Sequence, residues 1–136
     1  MVGSGSVFHW AVAGLLEQKD PPPPKAEAEA VLKKSMLEDA RKVFEMNIKR
    51  YQTGAGALVA EELYQWSNRW LKAELDLAGD AVARTTALKA HLNRMKEVEK
   101  QATTLAKIGQ GRDADAAAGR YFRAQAELWV GRGRVR

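Results

Sequence analysis

Apolar residues recur at spacings of three and four along most of this sequence, which predicts α-helices. One such row contains Leu37, Ala40, Phe44, Ile48 and Tyr51. Alanine, leucine, glutamate, lysine and arginine dominate the composition, and these are strong helix formers. No alternating apolar pattern continues beyond a few residues, so strands are not expected. An all-α fold is predicted, and 136 residues leave room for one domain.

Four consecutive prolines, Pro21–Pro24, form the clearest boundary in the chain. Because proline cannot continue a helix, they predict an extended spacer. Residues 1–24 are therefore interpreted as an N-terminal arm and spacer, residues 25–131 as the helical domain, and residues 132–136 as a basic tail.

The N-terminal arm begins with MVGSGS, residues 1–6, which resembles the remnant of a cloning tag. The next segment, Val7–Leu16, is apolar but about half the length of a membrane span. No basic residues precede it, so a secretory signal is not favoured. We expect this segment to dock on its own chain or on a protein partner. Because the chain has no cysteine, its compartment is left open between bacterial cytoplasm and periplasm.

Three helices are expected in the helical domain. The first runs from about Lys25 to Thr53, the second from after Gly56 to Gly109, and the third from about Asp113 to Val130, with Asp113 as a plausible N-cap. Short glycine turns separate them, at Gly54 and Gly56 and at Gly109 and Gly111. Each turn is expected to fold its flanking helices back on each other.

The continuity of the second helix depends on Gly79. This glycine could end a helix, with Asp80 capping the next one, which gives a four-helix fold. The apolar spacing keeps its phase across Gly79, however, and an interior glycine costs a helix only about 1 kcal/mol relative to alanine. The apolar spacing therefore favours one long central helix.

This arrangement places the first and third helices end to end along the central one, with their free ends meeting near Thr85–Lys89. Such a two-layer arrangement leaves apolar surface uncovered, and exposed apolar surface commonly marks association. A homodimer with four-helix cross-sections is predicted. The candidate interface residues are Tyr64, Trp66, Trp70, Leu71, Leu75, Val82, Phe122 and Trp129. The aromatic members could instead form the core or line a pocket for an apolar ligand.

The sequence around the first turn resembles the internal repeat of the TolC-like outer-membrane efflux factors. In that family a helix ends near Arg-Tyr-x-x-Gly and the next begins with an acidic residue and runs into Ala-Glu-Leu-x-Leu-Ala. The matching residues here are Arg50, Tyr51, Gly54, Glu61 or Glu62, and Ala73, Glu74, Leu75, Leu77 and Ala78; a second copy has Gly109, Gly111, Asp115, Ala126, Glu127 and Leu128. The resemblance implies helical hairpins with a long helix flanked by two shorter ones. It does not imply transport, because membrane strands and far longer helices are missing.

The net charge of +5 suggests a second function, binding to nucleic acid or an anionic surface. The body of the chain is nearly balanced, since the tail supplies three of these charges, and a short Arg/Gly tail typically frays into solvent. Nucleic acid is therefore the less favoured partner. The candidate contacts are Lys33, Lys34, Arg41, Lys42, Arg132, Arg134 and Arg136.

No catalytic, metal or cofactor site is predicted. The only histidines are His9 and His91, and His91 has no carboxylate three or four residues away, so a solvated surface histidine is expected. The two glycine turns follow helices and lack the Lys-Ser/Thr pair of a phosphate loop. The preferred interpretation is a non-enzymatic, dimeric structural or protein-interaction module.

Overall fold

The computed structural model describes residues 24–54 and 59–136. These residues form four helices and no strand: α1 (Lys25–Gln52), α2 (Ala60–Leu77), α3 (Ala81–Lys107) and α4 (Asp113–Arg132). The prediction of an all-α fold is confirmed. The N-terminal arm with His9, and Gly56 in the first turn, lie outside the described residues, so their roles stay predictions. Residues Val31–Arg136 belong to one compact unit.

The prediction of one long central helix is wrong, because the chain breaks between α2 and α3. Helix α2 ends at Leu77, and Ala78 is extended, with φ −68° and ψ 121°. Asp80 is also extended and caps α3, its carboxylate accepting a hydrogen bond of 2.8 Å from the Ala83 amide. The cap stabilises the new helix end, and the break lets α3 fold back on α2.

The contacts between helices define their directions. Leu71 of α2 packs near Leu88 of α3, whereas Leu63, two turns earlier in α2, packs near Val98. Helices α2 and α3 therefore run in opposite directions. Helix α4 in turn runs opposite to α3, because Trp129 clusters with Leu88 whereas Phe122, earlier in α4, clusters with Val98, later in α3. As a result, α2 and α4 run in the same direction, and the free ends expected near Thr85–Lys89 do not occur.

Helices α3 and α4 approach closely at Gly119. A Cβ atom added there would lie 2.9 Å from the Cα atom of Glu99, closer than two carbon atoms pack. Ala102, Ala116 and Ala126, on the same two helices, are also buried. Small side chains thus allow the two backbones to pack tightly along this interface.

The C-terminal half of α1 covers the core through large side chains. Phe44, Ile48 and Tyr51 are buried, and the Tyr51 hydroxyl donates a hydrogen bond of 3.2 Å to Asp115 at the start of α4. Burial first, and then the Asp115 charge, raise the pKa of Tyr51. Arg112 pairs with the other oxygen of Asp115 at 2.8 Å. This buried contact connects the end of α1 to the start of α4.

Among the predicted turn glycines that the structure describes, Gly54 and Gly109 behave alike and Gly111 differs from them. Gly54 and Gly109 have left-handed φ values of 69° and 74°, as expected of glycines that end helices. Gly111 does not have a positive φ. A larger residue would not fit there, because an added Cβ atom would lie 2.8 Å from Leu105 Cβ. Asp113 is not the N-cap of α4, because Arg112 occupies that position and no side chain caps this end.

The basic tail is held against α4, so the expectation of a frayed terminus is wrong. Gly133 is left-handed, and the Arg134 amide donates to the Trp129 carbonyl oxygen at 3.2 Å, which closes the helix end. Val135 then packs against the cluster that contains Trp129 and Leu71. A single apolar residue therefore anchors the tail on the helices.

Candidate functional site

A cluster of polar side chains is buried between α2 and α3. Ser67 and His91 have no exposed surface, and Arg94 is 9% exposed. Ser67 lies on the face of α2 that contains Leu63 and Leu71, while His91 and Arg94 are three residues apart and share one face of α3. The helical periodicity that builds the apolar core thus also brings these three groups together.

The hydrogen bonds of the cluster join Ser67 of α2 to Arg94 and His91 of α3. Arg94 Nε donates to Ser67 Oγ at 2.7 Å, and Arg94 Nη2 donates to the Ser67 carbonyl oxygen at 3.3 Å. Ser67 Oγ lies 2.8 Å from His91 Nδ1. Because an arginine can only donate, Ser67 Oγ accepts the bond from Arg94. Which of Ser67 Oγ and His91 Nδ1 donates in the second bond depends on the tautomer of the imidazole.

The His91 ring is enclosed by aromatic side chains. It stacks on Trp129, with ring centres 5.6 Å apart, and meets the edge of Tyr64 at 6.2 Å. Its Nε2 atom is buried and has no hydrogen-bond partner within the described residues. Burial first, and then the Arg94 charge, lower the pKa of His91 to about 3. The imidazole is accordingly neutral at physiological pH.

The faces of aromatic rings stabilise the charge of Arg94 inside the core. Its guanidinium carbon lies 3.9 Å from the centre of the Trp70 ring and 5.9 Å from that of Phe44. Glu74 is the nearest carboxylate, at 3.9 Å, too far for a hydrogen bond. Burial lowers the pKa of Arg94 to about 10, which leaves it protonated at neutral pH. Burial also raises the pKa of Glu74, and the Arg94 charge opposes this shift.

The Ser67–His91 pair does not have the geometry of a nucleophile and its base. In a catalytic triad the serine bonds to Nε2 and a carboxylate orients Nδ1. Here the serine is on Nδ1, no carboxylate of residues 24–54 and 59–136 is bonded to the ring, and both residues are buried. The Arg94 charge also lowers the pKa of His91, which disfavours the imidazolium that a general base would form. The arrangement therefore joins α2 to α3 rather than activating Ser67.

The expectation that His91 is a solvated surface histidine is wrong. His91 belongs to the row Leu88, His91, Met95 and Val98, which are all buried at helical spacing. This row was the signal that could have placed His91 in the core. The same spacing places Ser67 between Leu63 and Leu71 and Arg94 one turn after His91. Only the pairing of α2 with α3, however, brings Ser67 and Arg94 into contact.

The candidate interface residues divide into three groups by burial. Leu71, Phe122 and Trp129 are buried within the chain, so the prediction that they form an interface is wrong. Four others are partly buried and pack against the core clusters: Tyr64, Trp66, Trp70 and Leu75. Val82 is 75% exposed. The fold-back of α3 on α2 covers much of the surface that a continuous helix would have left open.

The candidate contacts for an anionic partner also differ from one another in ion pairing, exposure and position. Arg41 is bound by Glu38 at 2.6 Å and by Glu45 at 3.1 Å on the same helix, which offsets its charge. Lys34, Lys42 and Arg134 are exposed, and Lys33 is half-buried. Arg132 and Arg136 line a groove beside α2 and α4. Arg41 is therefore a poor contact for an anion, whereas the two groove arginines are available to one.

Residues 24–54 and 59–136 contain no helix with the length and apolarity that a membrane crossing requires. No family model, curated protein or solved structure matches this chain. The resemblance to the TolC-like repeat therefore rests on the matching residues alone. The long continuous helix that it implies is not present, because α2 ends at Leu77.

Proposed function

We propose that the chain is a non-enzymatic protein-interaction module that forms a homodimer through α1. The observation that carries this proposal is a second apolar row on α1, on the side of the helix away from its buried row. We call it the outer stripe of α1, and it consists of Leu32, Met36, Asp39, Val43, Met46 and Arg50. Leu32, Met36 and Met46 are each more than 60% exposed. Surface of this kind on a soluble protein is typical of an association site.

The spacing of the outer stripe favours a helix as its partner. Its members alternate at intervals of four and three, the heptad repeat by which two helices pack side by side. Val43 lies at its centre, and Val31 is exposed at its edge. Burying each large apolar side chain contributes about 1.5–3 kcal/mol. A second copy of α1 offers the same repeat and therefore a matching surface.

The two charged members of the stripe favour one orientation. A parallel pair of α1 helices would place Asp39 beside Asp39 of the second copy, and like charges repel. An antiparallel pair with its twofold axis between Val43 and Met46 places Asp39 opposite Arg50 of the second copy. Neither residue has an ion pair within the described part of the chain. The antiparallel pair thus forms two ion pairs around a centre of Val43 and Met46, with Met36 and Leu32 toward its two ends.

Molar mass measured by sedimentation or light scattering tests the dimer. We expect twice the mass of the 15.0 kDa chain at micromolar concentration. Met46→Lys should give the mass of a monomer, since a lysine in the stripe meets apolar groups of the partner. Val82→Lys is the matched control, because Val82 is equally exposed on α3 but lies outside the stripe. A monomeric wild-type chain at high concentration would exclude the proposal.

A charge exchange tests the orientation separately. Asp39→Arg or Arg50→Asp alone should weaken the dimer, and the double variant should restore it by pairing the charges in reverse. If the wild-type chain is dimeric and the single variants dimerise normally, the dimer stands and the antiparallel register is wrong. The predicted contact of the N-terminal arm with a partner can be tested in the same way with a chain that begins at Pro24.

A further inference from the structure

A groove of about 620 Å³ lies between α2 and α4 and reaches the tail. Its volume is in the range of small-molecule sites. Tyr64, Asn68 and Lys72 project from one face of α2, each four residues after the last. Tyr121, Gln125 and Arg132 face them from α4, and Arg136 comes from the tail. Because α2 and α4 run in the same direction, successive residues of α2 face successive residues of α4 across the groove.

The charged side chains that line the groove are positive. They belong to Lys72, Arg132 and Arg136, and no acidic side chain of residues 24–54 and 59–136 lines it. None of these three side chains has an ion pair within the described residues. Lysine and arginine bind phosphate and carboxylate groups through charge-assisted hydrogen bonds. This end of the groove therefore suits an anionic group.

Two side-chain amides in the groove have unused hydrogen-bonding capacity. Asn68 Oδ1 and Gln125 Oε1 are buried and have no hydrogen-bond partner in the described part of the chain. Buried polar atoms nearly always have a hydrogen-bond partner, so two unpaired oxygens on facing walls of the groove are unusual. Both residues are partly exposed, and rotation about the soft terminal torsion turns each oxygen into the groove. Asparagine and glutamine amides pair with adenine by accepting from its exocyclic amine and donating to N7.

The groove also offers an aromatic surface for a planar ring. Tyr121 is 65% exposed and meets the edge of Phe122 at 5.8 Å. The Tyr64 ring is fixed by stacking on Phe122, with centres 4.1 Å apart and planes 8° apart. Exposed aromatic rings bind nucleobases by stacking. Positively charged side chains, side-chain amides and aromatic rings thus line the same groove.

We propose that this groove binds a free adenine mononucleotide. The phosphate lies against Lys72, Arg132 and Arg136, and the base pairs with the amides of Asn68 and Gln125 against Tyr121. This site is independent of the outer stripe of α1 and goes beyond the proposed dimer. The size of the groove favours a single nucleotide over a strand.

Isothermal titration of the full chain with AMP tests the proposal, together with NMR spectra of the side-chain amides. We expect binding that weakens with salt and shifts the amide signals of Asn68 and Gln125. Adenosine and inorganic phosphate should each bind at least tenfold more weakly than AMP. Arg132→Glu should abolish binding, and Gln125→Leu, which keeps the size of the side chain, should weaken it about tenfold.

Arg84→Glu is the matched control, because Arg84 is an exposed arginine on α3 that does not line the groove. It should leave AMP affinity unchanged. Circular dichroism of each variant establishes that it is folded. The assignment is overturned if millimolar AMP gives no binding, if Arg132→Glu and Arg84→Glu behave alike, or if inorganic phosphate binds as well as AMP. A short oligoadenylate that binds more than tenfold tighter than AMP would also overturn it, in favour of a nucleic-acid strand.

Discussion

The guanidinium carbon of Arg94 lies 3.9 Å from the centre of the Trp70 ring, closer than the 5.9 Å that separates it from the centre of the Phe44 ring. A buried cation on α3 is therefore stabilised by an indole of α2, while Glu74 is 3.9 Å away and makes no hydrogen bond to it. A desolvated cation over a tryptophan face contributes about 2 kcal/mol. The two helices are joined by this contact and by the hydrogen bonds of Arg94 to Ser67.

Replacing Arg94 should therefore destabilise the protein strongly. Arg94→Met keeps much of the apolar volume but leaves Ser67 without a donor and Glu74 without a nearby cation. We expect a loss of about 2–4 kcal/mol in the free energy of unfolding, measured with urea. Arg41→Met is the control, since Arg41 pairs only with exposed carboxylates on its own helix, and its midpoint should hardly change. Equal effects of the two variants would show that the buried cluster does not stabilise the fold.

The low pKa of His91 predicts that stability falls in mild acid. The folded-state pKa is about 3, whereas an unfolded histidine has a pKa of about 6.5. Between these values the unfolded chain binds the extra proton, so the free energy of unfolding rises with pH by up to about 1.4 kcal/mol per unit. This contribution is complete above pH 6.5 and is lost as the pH falls toward 3.

Urea unfolding at several values between pH 5 and 7 measures this slope. Most carboxylates titrate below that window. His91→Gln cannot take up a proton, and it should show a clearly flatter dependence on pH than the wild-type chain. Parallel slopes for the two proteins would mean that His91 titrates normally in the folded state.

The close approach of α3 and α4 predicts opposite effects for two glycine-to-alanine changes in the same helix. Gly119→Ala places a methyl group 2.9 Å from the Glu99 backbone and should cost about 1–3 kcal/mol. Gly131→Ala meets no atom within 4 Å and should stabilise α4 by about 0.5–1 kcal/mol. Thermal melting of both variants measures the difference. Stabilisation by both changes would contradict the tight packing at Gly119.

The break between α2 and α3 predicts a specific role for Asp80. Asp80→Ala removes the cap bond to the Ala83 amide and should cost about 1 kcal/mol in the free energy of unfolding. Asp113→Ala is the control, since Asp113 lies in the first turn of α4 and makes no capping bond. We expect it to have the smaller effect in urea unfolding. An Asp80→Ala chain as stable as wild type would mean that packing alone sets the break.

The periodicity of the sequence predicted some elements well. The row from Leu37 to Tyr51 identified the buried face of α1, and Gly54 and Gly109 marked helix ends. These features depend on neighbours a few residues apart, and helical spacing and the freedom of glycine at positive φ are local properties. The prediction of a continuous helix through Gly79 is wrong. The spacing of apolar residues identifies which face of a helix is buried, but it does not show whether the helix continues.

By itself, the sequence determined the helical class, the main helix ends and the apolar rows, because each follows from the local preferences of neighbouring residues. Only the tertiary structure decided that α3 folds back on α2, that Leu71, Phe122 and Trp129 are covered within one chain, and that Ser67, His91 and Arg94 meet. The free energy of these choices comes from contacts between residues far apart in the chain, such as Ser67 and His91, which are separated by 24 positions. Such contacts depend on how the helices pack together, which no local pattern encodes.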